Sequence, residues 1–322
     1  MKSPLVLVTA IATAATLMMV TQAASAQQTN YPDKPITMVV PFGPGGTSDI
    51  MARILAKHLS AALPATIVVE NKAGAGGAIG MTQLKRSAPD GYTVGLSVIG
   101  PEVLQPAIRK TGYTYQDFDH VCATYSVPLM MMVTEDSPFH SVSDVIAYAK
   151  ENPGKLTYGS SGHGTLLHLA MEMLLDQAGA TALHVPYKSS GEMVTDLMGK
   201  QIMVFNETPT VSKRYKLRPL AVFADNRLAG YPNVPTIKEA GWSIDASIWG
   251  GLIAPKGLPK DVLGVLETAC QKALKSDAYQ ADVEPLDTPA HYLDSSSFAV
   301  FAQDQFNMYG DLIKRLGLAE KQ

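Results

Sequence analysis

Strand-like and helix-like stretches alternate along almost the whole chain, and that alternation leaves few architectures open. β-Branched or apolar runs bounded by turn residues read as strands at Ile36–Val40, Ile67–Glu70, Tyr92–Ser97, Leu129–Thr134, Lys155–Gly159, Leu183–Tyr187, Ile202–Asn206, Leu220–Ala224 and Ile248–Ala254. Between them, apolar residues recur with helical spacing. Over 48–62, Ile50, Met51, Ile54, Leu55 and Leu59 form one stripe; over 165–178, Leu166, Leu169, Ala170, Met173 and Leu174 form another. Further helices are predicted at 77–87, 142–151, 190–199, 260–275 and 296–316, with Ser141 and Thr288-Pro289 as start signals. Such alternation predicts an α/β protein with mostly parallel sheets flanked by helices. Nine strands suit two lobes better than one sheet. The expected division puts 27–125 and 225–322 in lobe 1 and 126–224 in lobe 2, with the C-terminal helix free to cross to lobe 2.

The first 26 residues stand apart. Lys2 precedes an apolar stretch through Val20, and Ala24-Ser25-Ala26 follows, the pattern of a cleavable secretory leader. The mature chain is expected to begin at Gln27 in the periplasm, without a lipid anchor, since no Cys follows the cleavage site. Losing that leader removes one Lys and no acid, so 26 basic against 29 acidic residues becomes 25 − 29 = −4. A nearly balanced charge with no basic run excludes a nucleic-acid binder. Two cysteines, Cys122 and Cys270, leave a disulfide and two buried thiols equally open in an oxidising compartment.

Three predicted strand-to-helix junctions are rich in glycine: Phe42–Asp49, Asn71–Gly80 and Tyr158–Thr165. The start of a helix carries free N–H groups and a positive partial charge. Glycine lets another group approach that backbone, so such a turn holds an anion without Lys or Arg. The first and third turns also bring hydroxyls, Thr47 and Ser48, then Ser160, Ser161 and Thr165. None fits a nucleotide fingerprint: Ser48, Ile79 and Leu167 stand where G-x-G-x-x-G needs its last glycine, and no G-x-x-x-x-G-K-[ST] occurs. No cofactor is expected.

The third turn nearly matches a hydrolase nucleophile elbow, with His163 where the second glycine belongs. A secreted serine hydrolase using Ser161 with a histidine is therefore the alternative of another class. His163 and His168, five apart, do not stack on one helical face as metal ligands would, so no metal site is expected.

Taken in order, "YPDKPITMVVPFGPGGTSDIMAR", "VENKAGAGGAIG", "LTYGSSGHGTLLHLAMEML", "HVPYKSSGEMVTDLMGKQI", "YPNVPTIKEAG" and "WGGLIAPKGLP" resemble the Bug family of periplasmic solute-binding proteins, receptors of tripartite tricarboxylate transporters. The resemblance spans nearly the whole mature chain. It implies a two-lobed Venus-flytrap fold, a monomer that is not an enzyme, a small carboxylate held between the lobes without a charged clamp, and delivery to membrane permease subunits. A sensor role with the same ligand is a further alternative. The resemblance places a carboxylate on the loop Phe42–Asp49, hence Phe42, Gly43, Gly45, Gly46, Thr47 and Asp49, with Ser160, Ser161, His163 and Thr165 opposite. Ser97 is added at a cleft edge.

One departure stands out. The family commonly has Asp after the strand near residue 205, and this chain has Asn206 followed by Glu207. With Asn206 on the cleft wall a more anionic ligand is favoured, a di-acid, aliphatic or aromatic such as terephthalate. His163 leans towards the aromatic kind. Glu207 clouds that reading if it points inward.

Overall fold

The computed structural model describes residues 31–315 together with 319 and 320. The expected leader lies outside them. Among the described residues no helix is long and apolar enough to cross a membrane.

The strands are β1 (Ile36–Val40), β2 (Ile67–Asn71), β3 (Thr93–Val98), β4 (Phe118–Pro128), β5 (Met130–Val133), β6 (Thr157–Ser160), β7 (Leu183–Pro186), β8 (Val204–Glu207), β9 (Arg218–Val222), β10 (Ser247–Pro255) and β11 (Ala290–Leu293). They form two sheets, ordered β11-β4-β10-β3-β1-β2 and β7-β6-β8-β5-β9. The helices Thr47–Ala62, Ala78–Lys85, Lys260–Leu274 and Ser295–Arg315 pack on the first sheet, and Leu166–Ala178 and Ser190–Met198 on the second. Each sheet with its helices makes one lobe.

The sheets are mixed rather than mostly parallel. β1 pairs in parallel with β2 and β3, and β6 with β7 and β8. These are the strand-helix-strand units that the alternation announces, because a helical crossover returns the chain in the same direction. β10 with β3 and β4, β11 with β4, and β5 with β8 and β9 are antiparallel. The antiparallel part follows from the passage between lobes. The chain leaves the first sheet along β4, crosses at Leu129 and enters the second as β5; it comes back from β9 and re-enters the first as β10. Backbone bonds tie the two passages together: Leu129 N–H donates to Ala246 O (2.8 Å), Ala246 N–H to Phe223 O (3.0 Å) and Phe223 N–H to Leu129 O (2.8 Å).

All nine expected strands are present, β1 with the expected bounds and the other eight with shifted ends, and β4 and β11 are additional. The C-terminal helix packs on β4 and β11. Its start is Asp294, whose Oδ1 accepts from Ser297 N–H at 2.8 Å. Thr288 is instead buried, its hydroxyl 2.6 Å from that of Thr210. A disulfide joins Cys122 on β4 to Cys270 on the Lys260–Leu274 helix, with Cα atoms 6.6 Å apart.

Candidate functional site

β1 is apolar and buried, and it delivers the chain to Pro41–Gly46, where the Thr47–Ala62 helix begins. Gly46 precedes that helix in extended conformation, and no side chain caps its first amides. Asp49 holds the turn instead: its Oδ2 accepts from Gly45 N–H at 3.1 Å, and its Oδ1 accepts from Arg53 Nε and Asn71 Nδ2, each at 3.0 Å. Asn71 also donates to Phe42 O at 2.8 Å. Burial pushes the Asp49 carboxyl up, but those hydrogen bonds and the Arg53 charge outweigh it and hold the group below the usual carboxylate range.

What comes close to the first glycine turn is the other lobe. A Cβ on Gly43 would stand 2.9 Å from Ser189 Cβ, one on Gly45 2.7 Å from the Tyr215 hydroxyl, and one on Gly46 2.6 Å from Ser190 Oγ. The second and third turns meet likewise, since a Cβ on Gly162 would lie 3.1 Å from Gly76 Cα. Hydrogen bonds cross the same seam. Gly43 N–H donates to Lys188 O (3.1 Å), Tyr215 OH to Gly45 O (3.2 Å) and Gln105 Nε2 to His163 O (2.8 Å). The lobes are therefore closed on each other, and the glycines permit that contact.

At the seam lies a cavity of about 30 Å³, room for roughly two waters. Phe42, Gly43, Gly46, Thr47, Ser48 and Asp49 line one side, Val98, Ile99, Gly100 and Ile248 the same lobe's flank, and Ser161, Thr165, Leu166, Leu167, Ser190 and Glu207 the other lobe. Three helix starts meet there. The Leu166–Ala178 helix, like the Thr47 helix, lacks a side-chain cap; its N-cap Thr165 donates its hydroxyl to Gly162 O at 2.8 Å. The Ser190–Met198 helix differs, for Ser189 Oγ accepts from Glu192 N–H at 3.2 Å.

No Lys, Arg or His is among the lining residues, whereas two carboxyls are. Glu207, at the end of β8, is buried. Its Oε1 accepts from Thr47 Oγ1 (3.1 Å) and Thr208 N–H (2.9 Å), and its Oε2 from Ser190 Oγ. Burial raises this carboxyl above its ordinary value, and the bonds from Ser190, Thr208 and Thr47 pull the other way.

Of the residues singled out in the sequence, Phe42, Gly43, Gly46, Thr47, Asp49, Ser161 and Thr165 are brought together around this cavity. The other five lie off it. Gly45, with φ +93°, makes the turn. Ser97 is not among the lining residues and donates to the buried Glu102 Oε2. Ser160 Oγ is 2.7 Å from His184 Nε2. His163 leans on His168, ring centres 4.6 Å apart, and His168 on His184 at 4.3 Å. Asn206 faces the neighbouring helix, its Nδ2 3.4 Å from Leu167 O, so its neighbour Glu207 occupies the wall that Asn206 was expected to form. Ser48, Ser190 and Glu207 are the lining polar residues absent from that set. Two of them were marked in the sequence: Ser48 follows Thr47 at the same helix start, and the strand-to-helix turn Lys188–Glu192 offers Ser189 and Ser190 as ligand donors.

The hydrolase alternative finds no support here, because the serine bonded to a histidine is Ser160 and not Ser161. Among the described residues no group of three or more His, Cys, Asp or Glu could hold a metal ion.

Residues 51–318 match the model of the tripartite tricarboxylate transporter family receptor. A UPF0065 protein of Cupriavidus necator is 36% identical over 303 residues, 93% of this chain and 92% of that one. The structure of the periplasmic binding protein BugD superposes with a TM-score of 0.86 at 32% identity, over 90% of this chain and 100% of BugD. An R. palustris protein solved with adipate superposes at 0.85 and 29% identity, over 90% and 99%. Fold and cavity thus define a two-lobed solute-binding protein rather than an enzyme. The chain belongs to the tripartite tricarboxylate transporter receptor family, the Bug proteins.

Proposed function

We propose that this chain, exported by cleavage after Ala26, acts as a periplasmic monomer that captures a small carboxylate between its lobes and delivers it to the membrane permease of a tripartite tricarboxylate transporter. The carrying observation is the pair of helix starts, at Thr47 and Leu166, that line one closed cavity from opposite lobes with no side-chain cap. Each is an anion seat, so a di-acid puts one carboxylate on each, with Ser48 and Ser161 as further donors. The adipate bound by the R. palustris relative supports the same class.

The energetics suffice without a cation. Each helix end contributes about 1 kcal/mol and each charge-assisted hydrogen bond about 1.5–3 kcal/mol, against about 8 kcal/mol for micromolar affinity. Closure removes water and strengthens every polar contact inside. The cavity must expand to admit such a solute, which the interlobe seam allows by opening.

A thermal-shift screen against carboxylic acids tests the reading. A ligand at a hundred times its Kd adds about 2.7 kcal/mol of stability and is recovered unchanged. A panel in which no carboxylate raises the melting temperature contradicts it.

A further inference from the structure

We propose that Asp287 is a bolt that holds the two lobes shut, seated in a slot made by Lys213 and Gly230, and that this seat sets how long a captured solute stays enclosed. The inference needs nothing about what the cavity holds. It starts from where the three residues come from. Asp287 belongs to lobe 1: it follows the helix Asp277–Val283, which packs on the Thr47–Ala62 and Lys260–Leu274 helices, and it precedes β11. Lys213 belongs to lobe 2, on the short helix Pro209–Tyr215 between β8 and β9. Gly230 does too, because its loop runs on to strap β9: Val222 N–H donates to Pro235 O at 2.9 Å, and Ile237 N–H to Val222 O at 2.7 Å.

The fit is close on both faces of the carboxylate. Lys213 Nζ lies 3.1 Å from Asp287 Oδ2. That oxygen is shut off from water and receives no aligned hydrogen bond, so the ammonium is what answers its charge. The ammonium in turn lies over the Tyr231 ring, 4.9 Å from its centre. On the other face, a Cβ on Gly230 would collide with the Asp287 carboxylate. Gly230 does not have a positive φ, so room for that carboxylate is what a glycine gives here. Asp287 itself has φ +49°, a left-handed conformation that costs a residue other than glycine and that Asn and Asp tolerate best. Such a backbone persists where its surroundings demand it, and the slot is that demand.

The next residue crosses the same seam. Thr288 and Thr210 are both buried, with hydroxyls 2.6 Å apart. Two consecutive residues of lobe 1 thus meet two residues one turn apart on a lobe 2 helix. The Lys213 and Asp287 side chains are 41% and 22% exposed, and a pair so exposed adds little to folding. Opening is a separate equilibrium between two conformations, and a small loss confined to one of them moves it several-fold. Release requires the lobes to part. The bolt therefore slows the escape of every solute alike, without touching any.

Hydrogen exchange in the ligand-free chain, followed residue by residue by NMR, reads the opening directly. Gly43 N–H donates to Lys188 O across the seam at 3.1 Å and loses that bond when the lobes part. Asp287→Asn removes the charge and suits the left-handed backbone; there the Gly43 amide exchanges about three-fold faster. Gly230→Ala fills the slot and speeds it about ten-fold or more. Amides inside each lobe, on β1 and β6, keep their rates within about two-fold. Adding Lys213→Met to Asp287→Asn accelerates Gly43 no further. Unchanged exchange at Gly43 in either folded variant overturns the inference. So does equal acceleration of the β1 and β6 amides, which marks plain loss of stability. Should Gly230→Ala fail to fold, Asp287→Asn decides alone. No ligand enters the measurement, so its result stands apart from that of the carboxylate screen.

Discussion

Thr47 Oγ1 donates to Glu207 Oε1 across the cleft at 3.1 Å, although 160 residues separate the two. The same hydroxyl lies 2.5 Å from Thr208 Oγ1. One side chain at a helix start thus fastens the lobes and touches the solute space. Replacing it by valine, Thr47→Val, keeps the shape and removes the fastening. Loss of one such bond costs about 1 kcal/mol, so ligand affinity falls about five-fold. Unchanged affinity by titration calorimetry contradicts the latch.

The first glycine turn makes a sharper demand. Gly46 has φ −89°, a conformation open to any residue, so Gly46→Ala carries no backbone strain. Its Cβ would nevertheless stand 2.6 Å from Ser190 Oγ. The variant is expected to keep its unliganded melting temperature within a few degrees, to resist closure, and to bind at least ten-fold more weakly. Small-angle scattering with saturating ligand checks this: compaction equal to wild type contradicts the contact.

Acid weakens the fold through two histidines. Burial, then the neighbouring His184 and His163, pushes His168 down to about 3, and burial followed by His163 pushes His184 down to about 4. Both are therefore neutral in the folded chain where the unfolded chain binds protons. Stability from this source is full above about pH 6.5 and drains as pH falls towards those depressed values. Glu207 works in the opposite sense, since a raised folded value favours the folded state at lower pH. Melting temperatures from pH 7.5 to 4.5 should fall, and fall less in a His168→Gln, His184→Gln variant. Identical slopes contradict the assignment.

Reduction is the fourth test. The Cys122–Cys270 bond closes a separation of 148 residues within one lobe. On the loop-closure account it contributes about 5 kcal/mol. Reductant, or Cys122→Ala with Cys270→Ala, should lower the melting temperature by several degrees, with the ligand still bound. No change contradicts the estimate.

Much of this architecture was legible because parallel units announce themselves: β1 is an apolar run and β6 a short buried one, and both lead into glycine turns. β4 was not. Its buried polar residues depend on partners from elsewhere, His120 on Glu102 at 2.6 Å and Thr124 on Gly250 O at 3.1 Å. Those polar residues, with Asp119 and Ser126, break up the apolar signal of Phe118, Val121, Cys122, Ala123, Tyr125 and Val127. β11 spans four residues, none of them fully buried, so no core-facing pattern marks it.

The site shows the same boundary between local and distant information. The glycines of 43–46 predicted a close approach, but Ser189, Ser190 and Tyr215, which make it, are remote in sequence. Asn206 and Glu207 turned on register. Neighbours on a strand point to opposite faces, and all four residues of β8 are buried, so no polar alternation marked which one entered the cavity. His163 was expected to face the ligand, and its ring partners His168 and His184 were not legible because they come from a helix and another strand.

A crystal structure with the solute found by screening tests the central claim most directly. The prediction is a carboxylate oxygen within about 3 Å of backbone nitrogens at the start of the Thr47 helix, and a second polar end at the Leu166 helix. A solute gripped chiefly by arginine or lysine side chains, or seated outside the turns 42–49 and 160–167, would contradict it.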